Sequence, residues 1–329
     1  MATIVHRRPA PALGPEAPRG PGGSFDSLTW VGYASLVAAF GFLVFGLRPL
    51  TEMGDMRMWD LGNVFSIVAA SVRNAAVVVL PAALEWGVPG ARRVTPWLVR
   101  GTVLIALEPL LRAGLRLVQG WYIDLQPADV LYDQDPFGYD TPFGAAIWLV
   151  GLAISIVGAA GAWSLSDGLA DAGGRVRRRV IVALVTVGTL AVLATYVPYF
   201  GYLEPGATID FGSIVLWMSL VGLGIDLVDN AIWLMVAARL IAGFVAHARP
   251  RAAWGLGALA ASGMFLIRLL GPVLTLWFPT GGYGYAFTAV SVLSWVLLVV
   301  AFLAGLGRGR VRRRPRPRRM RLFVLHPTS

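Results

Sequence analysis

The chain alternates between long apolar blocks and short links that hold most of its charge. Eight blocks stand out, at residues 28–47, 61–84, 97–118, 143–165, 180–200, 211–238, 252–278 and 285–306. Each has about 20 residues or more, enough to cross a hydrocarbon core roughly 30 Å thick as a helix rising about 1.5 Å per residue. A soluble core of this size would break such blocks into amphipathic periods. The pattern predicts an all-α fold, a polytopic integral membrane helical bundle of about eight transmembrane helices. The sixth apolar run continues to Val245, so it is expected to tilt, to kink near Gly222 and Gly224, or to extend past the membrane surface. Pro81, Pro109 and Pro272 fall inside other blocks and are expected to bend them.

Charge in the links sets an orientation. One alternate set holds Arg7, Arg8 and Arg19, then Arg92 and Arg93, then Arg175, Arg177, Arg178 and Arg179, then Arg249 and Arg251, and last nine arginines from Arg308 to Arg321. The other set holds only Arg48 and Arg57 among many acids. Arginine-rich links stay in the cytoplasm, so eight crossings place both termini there, whereas seven or nine would put one arginine-rich tail outside. The division is a Pro/Gly/Arg-rich tail at 1–27, expected to be disordered, a transmembrane domain at 28–307, and an Arg-rich tail at 308–329. The first block lacks a small-residue cleavage site and is expected to be retained. The tail from Arg308 to Arg321 is expected to lie on anionic lipid, at about 1 kcal/mol per basic residue near the surface. It has no interleaved aromatics for stacking on nucleic acid. The whole reads as a multi-pass protein of the bacterial inner-membrane type.

Composition narrows the chemistry. Hydrophobic residues make up 57% of the chain and charged residues 14%, against about a quarter charged in soluble proteins. Every basic residue is arginine, and the chain has neither lysine nor cysteine. A Schiff base, a phosphate-loop lysine, disulfides and iron–sulfur ligands are therefore excluded. His6, His247 and His326 fall in tails or a link, which leaves no bis-histidine haem site within the bundle. No cofactor is implied. Trp30, Trp59, Trp86, Trp97, Trp121, Trp277 and Tyr283 fall near block ends, where aromatic side chains anchor helices at membrane surfaces.

Charge inside the blocks is the feature that points to function. Asp226, Asp229 and Asn230 follow one another at the spacing of neighbours on one helix face. Glu108 and Arg112 are one turn apart in the third block, and Arg73 and Arg268 lie inside the second and seventh. Counting rise from the block ends puts all of them near mid-bilayer. An ionised aspartate there costs roughly 3 kcal/mol on insertion scales, so it must be paired, protonated or wet. On one reading Glu108 pairs with Arg112, and Asp226 or Asp229 with Arg73 or Arg268, as buried bridges that fix helix register. Breaking such a bridge would cost about 3 to 5 kcal/mol. On the other, the layer is a hydrated path or pocket: Asp226 and Asp229 carry a proton or cation, and Arg73 and Arg268 act as counter-ions or anion clamps. Glu108 with Arg112 forms a second pair. Trp217 and Trp233, deeper in the sixth block, either wall such a pocket or simply pack.

Three functions follow as alternatives: an ion- or proton-coupled small-molecule transporter or transport subunit, a non-catalytic membrane subunit or scaffold of a larger complex, and a lipid-modifying enzyme using acids of the link 119–142. No catalytic set is singled out. In that link Asp129, Asp133, Asp135 and Asp140 form a weak calcium candidate. It lacks the terminal bidentate glutamate of a calcium loop, and Pro136 interrupts it, so a solvated acidic link accounts for it better. Finally, Phe143-Gly144 and Phe211-Gly212 open two blocks in the same way, as Leu61-Gly62 and Tyr283-Gly284 open two others. The match is compatible with repeated two-helix hairpins.

Overall fold

The computed structural model describes residues 27–52, 61–87, 95–125, 141–201, 214–246, 251–277 and 284–306. Among them are eight α-helices and no strand: α1 Ser27–Glu52, α2 Leu61–Gly87, α3 Pro96–Asp124, α4 Pro142–Asp171, α5 Arg178–Gly201, α6 Ile214–Ala246, α7 Arg251–Trp277 and α8 Gly284–Leu303. Six of these, α1, α2, α4, α6, α7 and α8, are long and apolar enough to cross a membrane. The fold is a helical bundle with the proportions of a multi-pass membrane protein.

Helix ends depart from the block ends where polar residues begin. Helix α1 runs past Arg48-Pro49 to Glu52, since a proline this close to a helix C-terminus removes only a terminal hydrogen bond. Helix α4 outlasts its apolar block and stops at Asp171. There the Gly174 N–H donates to the Leu169 carbonyl at 2.8 Å, and Gly173 adopts φ 118°, a conformation suited to glycine. Its start is fixed by Pro142 and by the Thr141 hydroxyl, which accepts from the Gly144 N–H at 3.0 Å. Helix α6 is one continuous helix of 33 residues, about 50 Å long at helical rise. It is longer than a bilayer crossing needs and runs through Gly222 and Gly224 without an interruption of the helix.

Six helices close a ring in the order α2, α3, α4, α6, α7, α8 and back to α2. Helix α1 packs outside the ring on α2, and α5 packs outside it on α6 and α7. Close approach depends on glycine. A Cβ at Gly101 of α3 would collide with the backbone of Leu165 on α4, and one at Gly168 of α4 would crowd the backbone of Leu98 on α3. Small residues at such crossings drive packing where lipid removes the hydrophobic incentive.

The core is lopsided. Leu80, Leu84, Leu98, Leu165, Leu240 and Trp254 belong to one buried cluster. They come from the ends of α2, α4 and α6 and the starts of α3 and α7, so the dense packing gathers at the arginine-rich end. Towards the other end the ring loosens around the interior charges.

The consecutive pairs α1–α2, α3–α4, α5–α6 and α7–α8 each pack together, which is compatible with two-helix hairpins, while the peripheral positions of α1 and α5 also divide the chain into two runs of four helices. Phe211-Gly212, part of the evidence for the hairpins, lies outside the described residues, as do residues 1–26 and 307–329 of the tails.

Candidate functional site

A cavity of about 410 Å³ occupies the centre of the ring, and all six ring helices line it. Its floor is shared with the core cluster through Val77, Ile105, Trp233 and Met264. Arg73 on α2, Glu108 and Arg112 on α3, Asp226 and Asp229 on α6, and Arg268 on α7 all face it. Six of the seven polar positions marked in the sequence thus meet in one space.

Two ion pairs organise it. The Arg268 guanidinium contacts the Asp229 carboxylate at 2.8 Å and joins α7 to α6. The Arg112 Nε donates to Glu108 Oε1 at 3.0 Å within α3, while its Nη2 donates to the Ser155 hydroxyl of α4, also at 3.0 Å. Glu108 lies against Gly158, where any Cβ would displace its carboxylate, so this glycine makes room for the acid between two tightly packed helices. Glu108 also feels the charges of Asp229 and Arg268 across the cavity. Arg73 has no ion pair among the described residues; its electrostatic neighbours are the Arg116 cation and the Glu108 carboxylate. Asp226 is exposed and engaged in its own interaction.

These pairs are not sealed in the interior. The side chains of Arg268 and Asp229 are 38% and 27% exposed, and those of Arg112 and Glu108 are 45% and 31% exposed. The bridges therefore border the cavity and are not packed on all sides. The acids do not converge into a metal-holding group among the described residues.

Asn230 departs from the single face expected of it. It is 2% exposed and absent from the cavity wall. Its Nδ2 donates to the Gly188 carbonyl of α5 at 3.2 Å, tying the peripheral helix to the ring. Successive residues on a helix are about 100° apart, which is enough for Asp229 to face inward while Asn230 faces outward. Trp233 walls the cavity and meets Trp295 of α8 edge to face, with ring centroids 5.3 Å apart. Trp217 is exposed on the outside of the bundle. Sequence reasoning missed Ser155, Ser291 and Trp295, all of which line the site, because an isolated serine or tryptophan in an apolar block reads equally well as packing. Asp129, Asp133, Asp135 and Asp140, offered as calcium ligands or lipid-modifying acids, lie outside the described residues.

Compared with known families, curated proteins and solved structures, the chain matches none of them.

Proposed function

We propose that the protein is a multi-pass inner-membrane transporter or transport subunit that couples movement of a small molecule to a proton or cation at this cavity. One observation carries the reading: three carboxylates and three guanidinium groups, from helices far apart in the chain, line a single accessible cavity within an otherwise apolar ring. Intramembrane charge is costly, and where it persists beside a hydrated cavity it points to an ion or substrate path. Asp226 and Asp229 are the coupling acids. Arg268 holds Asp229 and competes with the incoming ion for it, so protonation or cation binding releases α7 from α6. The packed floor at the arginine-rich end closes the cavity on the side that we assign to the cytoplasm.

The test needs no knowledge of the substrate. Purified protein in liposomes on a solid-supported membrane is exposed to fast proton and sodium concentration jumps, and displaced charge is recorded. The parent is expected to give a transient that Asp226→Asn with Asp229→Asn removes. A double variant indistinguishable from the parent under every gradient overturns the reading. The scaffold alternative gains support from the closed Asp229–Arg268 pair. It expects the reciprocal exchange Asp229→Arg with Arg268→Asp to restore full function, whereas a coupling acid cannot be moved to α7 without altering the transient.

A further inference from the structure

The two runs of four helices pack in a similar order. Around the ring, α2, α3 and α4 correspond to α6, α7 and α8, α1 and α5 are their outer companions, and the contacts α4 to α6 and α8 to α2 join one run to the other. The sequence carries the same relation. Val72-Arg73-Asn74-Ala75 aligns with Val228-Asp229-Asn230-Ala231. Continued without a gap, this register places Leu84 on Leu240, Gly87 on Gly243, Gly101 on Gly257, and Leu110-Leu111-Arg112 on Leu266-Ile267-Arg268. Packing agrees in part: Gly101 lies against Leu165 of α4, and a Cβ at Gly257 would lie nearest Leu240 of α6, with Ala301 of α8 at 3.9 Å. Ser155 and Ser291 stand at equal distances before Leu165 and Ala301. The register pairs Arg73 with Asp229, Val77 with Trp233, Glu108 with Met264, and Arg112 with Arg268; Ser155 and Ser291 pair only in a second register, set by Leu165 and Ala301, after a gap between the third and fourth helices of each run. Apart from Leu165 and Ala301, every one of these residues lines the cavity.

Between the halves, the charge at one position is reversed. In the second half, the α6 position is a carboxylate that the α7 arginine holds at 2.8 Å. In the first half the same position is Arg73, and the corresponding arginine, Arg112, turns to Glu108 and Ser155 instead. Arg73 is left without an ion pair among the described residues, the Glu108 carboxylate near it being held by Arg112, at the wall of an accessible cavity whose floor is apolar and aromatic.

We propose that this half of the cavity is a binding site for an organic anion, whose carboxylate or phosphate monoester group sits on Arg73 in the role that the Asp229 carboxylate fills in the other half. The apolar body of the ligand rests on Val77, Met264 and the Trp233–Trp295 pair. Arginine suits a planar or tetrahedral oxyanion because it presents a fixed fork of donors. The volume lies in the small-molecule range of roughly 300–1,000 Å³. For its meaning in the cell the proposal rests on the transport reading, but its test does not.

Binding is measured by calorimetric titration in phosphatidylcholine nanodiscs with no gradient. The probes are 3-phenylpropionate and phenyl phosphate, with 3-phenylpropionamide as the uncharged control; dodecanoate and dodecyl phosphate form the lipid-like arm. At least one anion is expected to bind the parent about tenfold or more tighter than the amide, the scale of a charge-assisted hydrogen bond. Arg73→Gln is expected to lose that advantage, and Arg73→Lys to keep part of it. Arg73→Asp places a carboxylate where the ligand's would go. It is expected to abolish anion binding while melting no lower than the parent, which separates a lost site from a lost fold. Arg175→Gln, on the exposed link between α4 and α5, is expected to bind as the parent does. Preference for the short or the long probes tells a soluble acid from a lipid. Equal affinity for anion and amide, unchanged binding by Arg73→Gln or Arg73→Asp, or no binding of any anion to the parent overturns the proposal. If binding holds while the proton and sodium jumps give nothing, the site stands and the coupling falls. If binding fails while the jumps succeed, the reverse is true.

Discussion

Arg239 and Asp167 show how far a residue's neighbourhood can escape the sequence. Both fall just outside the apolar blocks, one residue past the sixth and two past the fourth, so neither belongs to the charged layer counted by depth. Their side chains nevertheless meet at 2.9 Å between α4 and α6, with Arg239 only 15% exposed and Asp167 40%. Asp167→Asn is expected to cost about 1 kcal/mol, given that one partner remains screened by solvent. The exchange Asp167→Arg with Arg239→Asp should recover most of it, as read from melting midpoints in detergent. Asn230 is the complementary case: its spacing was legible and its direction was not. Asn230→Ala removes the hydrogen bond to α5, for a loss of about 1 kcal/mol. The charge transients of the parent should survive, because the side chain does not reach the cavity. A transient lost in Asn230→Ala without loss of folding would place it in the path after all.

At the scale of the element, the apolar blocks located each of the eight described helices, six of which are long and apolar enough to cross a membrane, because a segment that satisfies its own backbone in an apolar setting advertises its length. What the blocks could not give was the helix ends, which depend on caps and on amphipathic turns beyond the hydrocarbon, or the pairing of helices, which depends on where glycine permits contact. Gly101 and Gly257 hold corresponding positions but differ in consequence. A Cβ at Gly101 runs into the Leu165 backbone, which cannot move without separating α3 from α4. A Cβ at Gly257 meets the movable Leu240 Cδ2 at 3.2 Å. Gly101→Ala should therefore destabilise by about 1 to 3 kcal/mol, as overpacked contacts do. Gly257→Ala should stay within about 1 kcal/mol, since its neighbour is the end of a flexible side chain. Thermal unfolding followed by light scattering would separate the two, and equal costs would mean that the α3–α4 seam yields as readily as a side chain.

For the molecule as a whole, the lopsided core and the arginine pattern make one argument about direction. The densely packed ends of the ring helices are those joined by the arginine-rich links, and the accessible cavity begins where that packing stops. If those links are cytoplasmic, the cavity is closed on the cytoplasmic side. The chain has no cysteine, so single cysteines report without background. Ala172 follows α4 at the arginine-rich end, and Leu125 follows α3 at the opposite end, 60% exposed. In intact cells a membrane-impermeant maleimide should label Leu125→Cys at once, and Ala172→Cys only after permeabilisation. The opposite result would require arginine-rich links on the far side of the membrane, against the bias that sets topology. It would also turn the cavity around, so that ions would reach Asp226 and Asp229 from the cytoplasm, and the proton jumps in liposomes would have to be applied from the other face to give the larger transient.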